Sequence, residues 1–223
     1  MRTHRSRMTG LLLAAGFMLI RVLSAETVPV PSSSQVKRAE RLMQSIDLKD
    51  EIVADRISGL ISRYYAKLSA IHSVRDAELK TARDLRSTDK AASDKAVHAA
   101  QTRALEAQEV LHRRFLTELA RDLSSAQIEQ VKDGMTYGVL PLTFRVYQEM
   151  LPDLTPTQKK QILAWLTEAR ELAMDGGSSE EKHAIFGKYK GRINNYLSAA
   201  GIDMKRAEHD MLERKKSAGG LSG

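Results

Sequence analysis

Along the first half of the chain, apolar residues return every three or four positions. Ile57, Leu60, Ile61, Tyr64, Leu68 and Ile71 form one series; Leu105, Leu111, Phe115 and Leu119 form another, with Gln108 filling its gap. That spacing lays one apolar stripe along each of two helices. Residues 47–132 contain one glycine, Gly59, and no proline, and their β-branched residues are scattered rather than alternating, so the stretch reads as helical. A polar break at Arg86, Ser87, Thr88 and Asp89, with Ser87 or Asp89 as a cap, divides it into two long antiparallel helices, residues 47–85 and 89–123. A shorter helix, residues 35–44, precedes this hairpin.

The second half is punctuated differently. Gly134, Gly138, Pro141 and Pro152 cut residues 133–153 into a loop with one short helix, 143–150. Thr155 as N-cap and Pro156 at the first helical position open the next helix, whose stripe is Ile162, Trp165, Leu166, Ala169 and Leu172 or Ala173. Asp175-Gly176-Gly177 ends it, Ser178 or Ser179 caps its successor, and Gly201 stops that one after Ala200. A last helix spans 203–216, and the Gly/Ser tail, 217–223, is expected to be disordered. The runs beginning at Asp122 and Asp153 share the form D-L-[ST]-x-x-Q, in which the hydroxyl caps a helix and the Gln completes a capping box. With no strand candidate longer than residues 138–142, the expectation is an all-α fold. It consists of a long helical hairpin packed on a compact multi-helix C-terminal half, about seven helices in one domain over 35–216.

Composition changes this picture at the N-terminus. The 223 residues carry 35 Lys and Arg against 28 Asp and Glu, but Arg2, Arg5, Arg7 and Arg21 lie in an acid-free leader, and without them the excess falls from +7 to +3. That is no nucleic-acid footprint. The leader combines a basic start, an apolar run from Leu11 to Ile20, and Ser24 and Ala25 before Glu26, the arrangement of a signal peptide over residues 1–25 cut after Ala25. Arg21 and Leu23 fit that pattern poorly, so an uncleaved anchor is the competing reading. Residues 26–34, with Pro29, Pro31 and three serines, read as a flexible linker. A periplasmic or secreted protein is therefore expected. The absence of Cys means that its stability rests on a packed core rather than on disulfides.

Seven of the eleven aromatics (Tyr137, Phe144, Tyr147, Trp165, Phe186, Tyr189, Tyr196) fall in one window of the second half, together with Gly134, Gly138, Gly176, Gly177, Gly187 and Gly191. Gly187 and Gly191 sit one turn apart inside a helix, where each costs about 1 kcal/mol relative to Ala. Either they admit a close-packed helix, with the rings as core, or they leave a bare face, flanked by His183, Lys190, Arg192 and Asn194, for a ligand. Rings beside planar hydrogen-bonding groups suit a neutral polar ligand such as a sugar.

The run from Ala169 to His183, through Asp175-Gly176-Gly177, and the run from Phe186 to Leu197 resemble a family of secreted bacterial domains of unknown function that carries a sugar-binding label. The stretches Val131–Gly138, Met150–Pro152 and on to Trp165-Leu166 are similar to it too. The likeness spans about residues 40–205 and is most specific over 133–201. It implies an exported, all-helical protein without an assigned reaction, and a carbohydrate as partner. On these residue types Trp165, Tyr137 and Tyr189 are stacking candidates, and Asp133, Glu171, Asp175, His183, Arg192, Asn194 and Asn195 are polar ones.

Other chemistry has thinner support. Glu168, Glu171 and Asp175 lie within two turns of one helix, the residue types of a glycan-cleaving enzyme, although such acids usually mark a solvated face. His72 and Asp76 at i, i+4 supply two metal ligands where a closed site needs more, and His98 and His112 read as polar-face residues. No metal or other cofactor is expected. Lys67, Arg75, Lys80, Arg83 and Arg86 with Asp76, Glu78 and Asp84 read as mixed-sign surface. Leu154-Thr155-x-x-Gln158 and its partial copy at Leu123 to Gln127 are similar to the repeat of the LTxxQ family of small exported chaperones, which would make the hairpin a cradle for unfolded clients.

Overall fold

The computed structural model describes residues 28–46 and 48–219. The expected signal peptide lies outside them, as do Asp47 and the last four residues. Among the described residues the fold is all-α, with eight α-helices, no strand, and no helix long and apolar enough to cross a membrane.

Helix α1 (Ser33–Met43) begins inside the expected linker, because Ser32 caps it and Gln35 returns a hydrogen bond to the Ser32 backbone. The hairpin is α2 (Glu51–Asp84) and α3 (Lys90–Leu119), capped by Asp50 and Asp89 and joined through a 3₁₀ turn, Leu85–Ser87. At 34 residues α2 is about 50 Å long. Helix α3 stops at Leu119 rather than near residue 123, and a separate α4 (Ser125–Met135) follows. Ser124 and Gln127 form a capping box there, which restarts the backbone in a new direction and raises the helix count from about seven to eight.

Helix α5 (Val139–Met150) starts four residues earlier than expected. Pro141 is its third residue, where a missing N–H costs no intrahelical bond, and Gly138 precedes it at φ 65°. Helix α6 (Pro156–Met174) opens with the Thr155–Gln158 capping box, so both D-L-[ST]-x-x-Q runs spend their hydroxyl and amide on starting helices. Helix α7 (Ser179–Ala199) is capped by Ser178 and ends at Gly201, φ 86°, where the Ile202 N–H bonds to Leu197 O and the Gly201 N–H to Ser198 O. Helix α8 (Met204–Gly219) runs three residues past the expected end, into the tail that was expected to be disordered.

Two apolar clusters hold these helices. One joins α1, the base of the hairpin and α4 around Ile57, Ile61, Phe115, Leu119, Val131 and Met135; the other joins α5, α6 and α7 around Ile162, Leu166, Phe186, Ile193 and Leu197. Met174, the last residue of α6, belongs to the first cluster and ties the two together. The stripe on α2 is as expected, but that on α3 runs through Ala100, Ala104, Gln108, Phe115 and Leu119, while Leu105 is 64% exposed. On α6 Ala173 is buried and Leu172 faces out.

Candidate functional site

Where the middle of the hairpin meets the turn from α6 to α7, the surface is hollowed into a cavity of about 770 Å³. The turn comes first. Asp175-Gly176-Gly177 ends α6, and the last-turn carbonyls of Ala173 and Met174 accept hydrogen bonds, at 2.7 and 3.0 Å, from Lys182 Nζ, a side chain fully buried beneath the turn. Burial pushes the Lys182 ammonium down to about 8. A Cβ at Gly176 would lie 3.0 Å from Lys182 Cγ, and one at Gly177 would lie 3.0 Å from the His72 ring, so both glycines permit close approach.

The hairpin grips this turn through Asp175. Its carbonyl oxygen accepts from His72 Nε2 at 2.8 Å and from the Gln108 amide at 3.4 Å; its carboxylate accepts from the Tyr64 hydroxyl and from His112 Nδ1, the latter at 3.1 Å. His112 Nε2 faces Glu171 at 3.4 Å, and Glu171 also accepts from Lys132 at 3.1 Å and Arg170 at 3.2 Å. Arg170 is buried and reaches on to Asp133 and Glu129. Alternating charges thus run from α3 through α6 to α4.

With a carboxylate at each ring nitrogen, His112 is held as imidazolium, its pKa raised to about 9 by the hydrogen bonds to Asp175 and Glu171. Burial alone would raise the Glu171 pKa, but the hydrogen bonds from His112 and Lys132 outweigh it and hold the carboxylate at about 2. Burial and the neighbouring Asp175 push the Tyr64 phenol far above its ordinary range. The two carboxylates sit on opposite ring nitrogens and do not converge on one point. Among the described residues no three His, Cys, Asp or Glu side chains are arranged to hold a metal.

Above this floor the rim is half apolar. Leu105, 64% exposed, Leu172, 50% exposed, Ala184 and Ile185 alternate with Glu109, Arg113 and the Arg75–Glu181 pair. Glu181 also accepts from the Gly177 N–H, so α7 is fastened to the hairpin beside the opening.

The residues expected to form one site are distributed over several places. Glu171 and Asp175 line the cavity, and Asp133 stands behind Glu171 on Arg170. Tyr137 lies parallel to His183, ring centroids 5.9 Å apart, and Asn194 accepts from the Tyr147 hydroxyl at 2.7 Å. Trp165 is not a free stacking surface, because the Arg192 guanidinium covers its ring at 4.5 Å and Tyr196 meets its edge. Tyr189 is part of the second core, and Asn195 is exposed. Glu168 turns to Arg192 and does not join Glu171 and Asp175, so the expected three-acid cluster is not assembled. Nor does His72 pair with Asp76: the imidazole is buried against Asp175, while Asp76 holds Arg75 at the surface. At Gly187 and Gly191 an added Cβ would meet nothing within 4 Å, which removes the close-packed-helix reading and leaves the face bare.

His112, expected on a polar face, is the centre of the floor; Arg75, expected as mixed-sign surface, stands at the rim, and Lys132, Arg170 and Lys182 were not singled out from the sequence. Two signals pointed there. Gln108 interrupts the apolar line of α3, and His72 follows Leu68 by one turn on α2, so each puts a polar group where the pattern demands burial.

The family model described as Protein of unknown function (DUF3826) matches residues 32–217, most of the chain, and the chain belongs to that family. No curated protein matches it.

Proposed function

We propose that this DUF3826 protein is an exported, non-catalytic binding protein whose cavity between the hairpin and the α6–α7 turn takes a neutral carbohydrate. The observation that carries this reading is an ionic floor under an exposed apolar rim. Leu105, Leu172 and Ile185 offer surface to the CH face of a sugar ring, and Gln108, Glu109, Arg113 and Glu181 offer hydrogen-bond partners to its hydroxyls. General acid–base catalysis works best with a group that titrates near the working pH, whereas His112 is held near 9 by Asp175 and Glu171, and Glu171 near 2 by His112 and Lys132. Binding without turnover fits that floor. The resemblance of residues 133–201 to the sugar-labelled family supports the ligand class, and the basic and apolar leader before Glu26 supports export.

The test is a thermal-shift screen of residues 26–223 against plant and bacterial glycans, followed by calorimetry and product analysis. A saturable shift without new sugar ends is expected, and Leu105→Asp or Arg113→Ala abolishes it at unchanged helicity. A flat panel, new sugar ends, or binding indifferent to both substitutions overturns the assignment. Export is checked by the intact mass of the protein recovered outside the cytoplasm, expected to begin at Glu26.

A further inference from the structure

Gln108, which interrupts the apolar line of α3, stands in the cavity wall with only 9% of its surface exposed. The Asp175 carbonyl can only accept, so it fixes which end of the amide faces it: Nε2 donates there at 3.4 Å, and Oε1 turns elsewhere. Among the described residues no donor reaches Gln108 Oε1, and none reaches Asp175 Oδ2, because Tyr64 and His112 both bond to Oδ1. Neither oxygen is sealed from solvent, and the cavity is the surface that both residues line. The neighbouring donors are engaged, since both His112 nitrogens face carboxylates and the Tyr64 hydroxyl is given to Asp175. The floor therefore presents two open acceptors, and a ligand that donates to them satisfies it.

Each charged group of the lining already has its counter-charge: Arg75 on Glu181, Arg113 on Glu109, and His112 between Asp175 and Glu171. An ionic ligand would have to compete with one of these pairs, so uncharged hydroxyls are the donors that fit. Above the floor the lining offers Leu105, Leu172, Ala184 and Ile185 and, among the described residues, no Phe, Tyr or Trp. Without an aromatic plane to lie on, a fully hydroxylated hexose would set its hydroxymethyl group against aliphatic carbon, where that hydroxyl finds no partner. A methyl group in the same place buries apolar surface on both sides.

On the cavity reading proposed above, we infer that the sugar is a 6-deoxyhexose, with two hydroxyls donating to Gln108 Oε1 and Asp175 Oδ2 and its methyl edge against Leu105, Leu172 and Ile185. The ring is read as an amphipath, polar edge inward and methyl edge outward. Gln108 and Asp175 select for hydroxyls, and the aliphatic rim selects against one more of them.

Calorimetric titration of residues 26–223 with pairs of free sugars that differ only at the sixth carbon tests this: L-fucose with L-galactose, L-rhamnose with L-mannose, and 6-deoxy-D-glucose with D-glucose. In at least one pair the deoxy member is expected to bind about tenfold more tightly. Leu172→Ser, at a half-exposed position, should bring the members of that pair to within about twofold of each other, and Gln108→Met at unchanged helicity should weaken both by about tenfold and keep the preference. If the hydroxylated member binds as tightly in every pair, if Leu172→Ser keeps the preference, or if Gln108→Met leaves affinity unchanged, the deoxy-sugar inference falls while the cavity reading stands. The same holds if no free sugar of the three pairs binds while a glycan of the wider panel does. If nothing binds, or Leu105→Asp leaves binding intact, both fall.

Discussion

His112 carries a proton because both of its ring nitrogens face carboxylates, and that proton is a stability term. Its folded pKa of about 9 lies above the ordinary value of 6.5, so the stabilisation is complete below about pH 6.5 and is lost as pH rises through 9. Glu171, held near 2 against an ordinary 4.5, contributes above 4.5 and loses its contribution as pH falls through 2. The two limbs share the His112–Glu171 contact, while Asp175 is the first cause of the His112 shift and Lys132 adds to that of Glu171. Lys182 has the opposite sign, since its folded pKa of about 8 lies below 10.5 and the fold gains as pH rises between those values. The measurement is therefore a difference: urea-denaturation stability of the parent minus that of His112→Asn, followed against pH. It is expected to be on the order of 2–4 kcal/mol at neutral pH, as for a partly buried pair that loses one member, and to shrink through pH 9. A pH-independent difference would mean that His112 packs rather than pairs.

At the scale of the helix, glycines of identical composition have opposite roles. A Cβ at Gly134 would lie 3.0 Å from Leu42 Cγ, and one at Gly177 would lie 3.0 Å from the His72 ring, whereas Gly187 and Gly191 have open space. Gly187→Ala and Gly191→Ala are expected to raise stability by up to about 1 kcal/mol each, and Gly134→Ala and Gly177→Ala to lower it. Thermal melts of the four variants check both signs, and a loss at Gly187 or Gly191 would reveal packing there. Helix starts were legible where a cap is written within four residues, and Asp89, Ser124, Thr155 and Ser178 all cap where they stand, whereas the cap at Asp50 went unread and α2 was expected to begin at residue 47. The start of α5 was misread because Pro141 resembles a barrier until its place in the first turn is known.

For the whole molecule, α6 matters most, since its apolar stripe belongs to the second core and its last residue, Met174, to the first. Met174→Ala is expected to cost about 2–5 kcal/mol and to lower hydrogen-exchange protection in α2, α3, α6 and α7 together. Protection lost in the hairpin alone would make the two cores independent. The same junction carries the cavity, so a ligand there should raise protection on both sides of it.

The helical class, the hairpin and most helix ends were determined by the sequence alone, because apolar period, caps and C-terminal glycines act between residues at most a few positions apart. Only the tertiary structure decided which polar groups meet. His72 and Asp175 are 103 residues apart, His112 and Asp175 are 63 apart, and Arg170 and Glu129 are 41 apart. A charged residue on a helix looks the same from the sequence whether it faces water or a partner, and the angle at which the hairpin meets the α6–α7 turn settles that difference. Glu171 and Asp175 were picked out by residue type; His112, which holds both, became visible only when α3 was laid against α6.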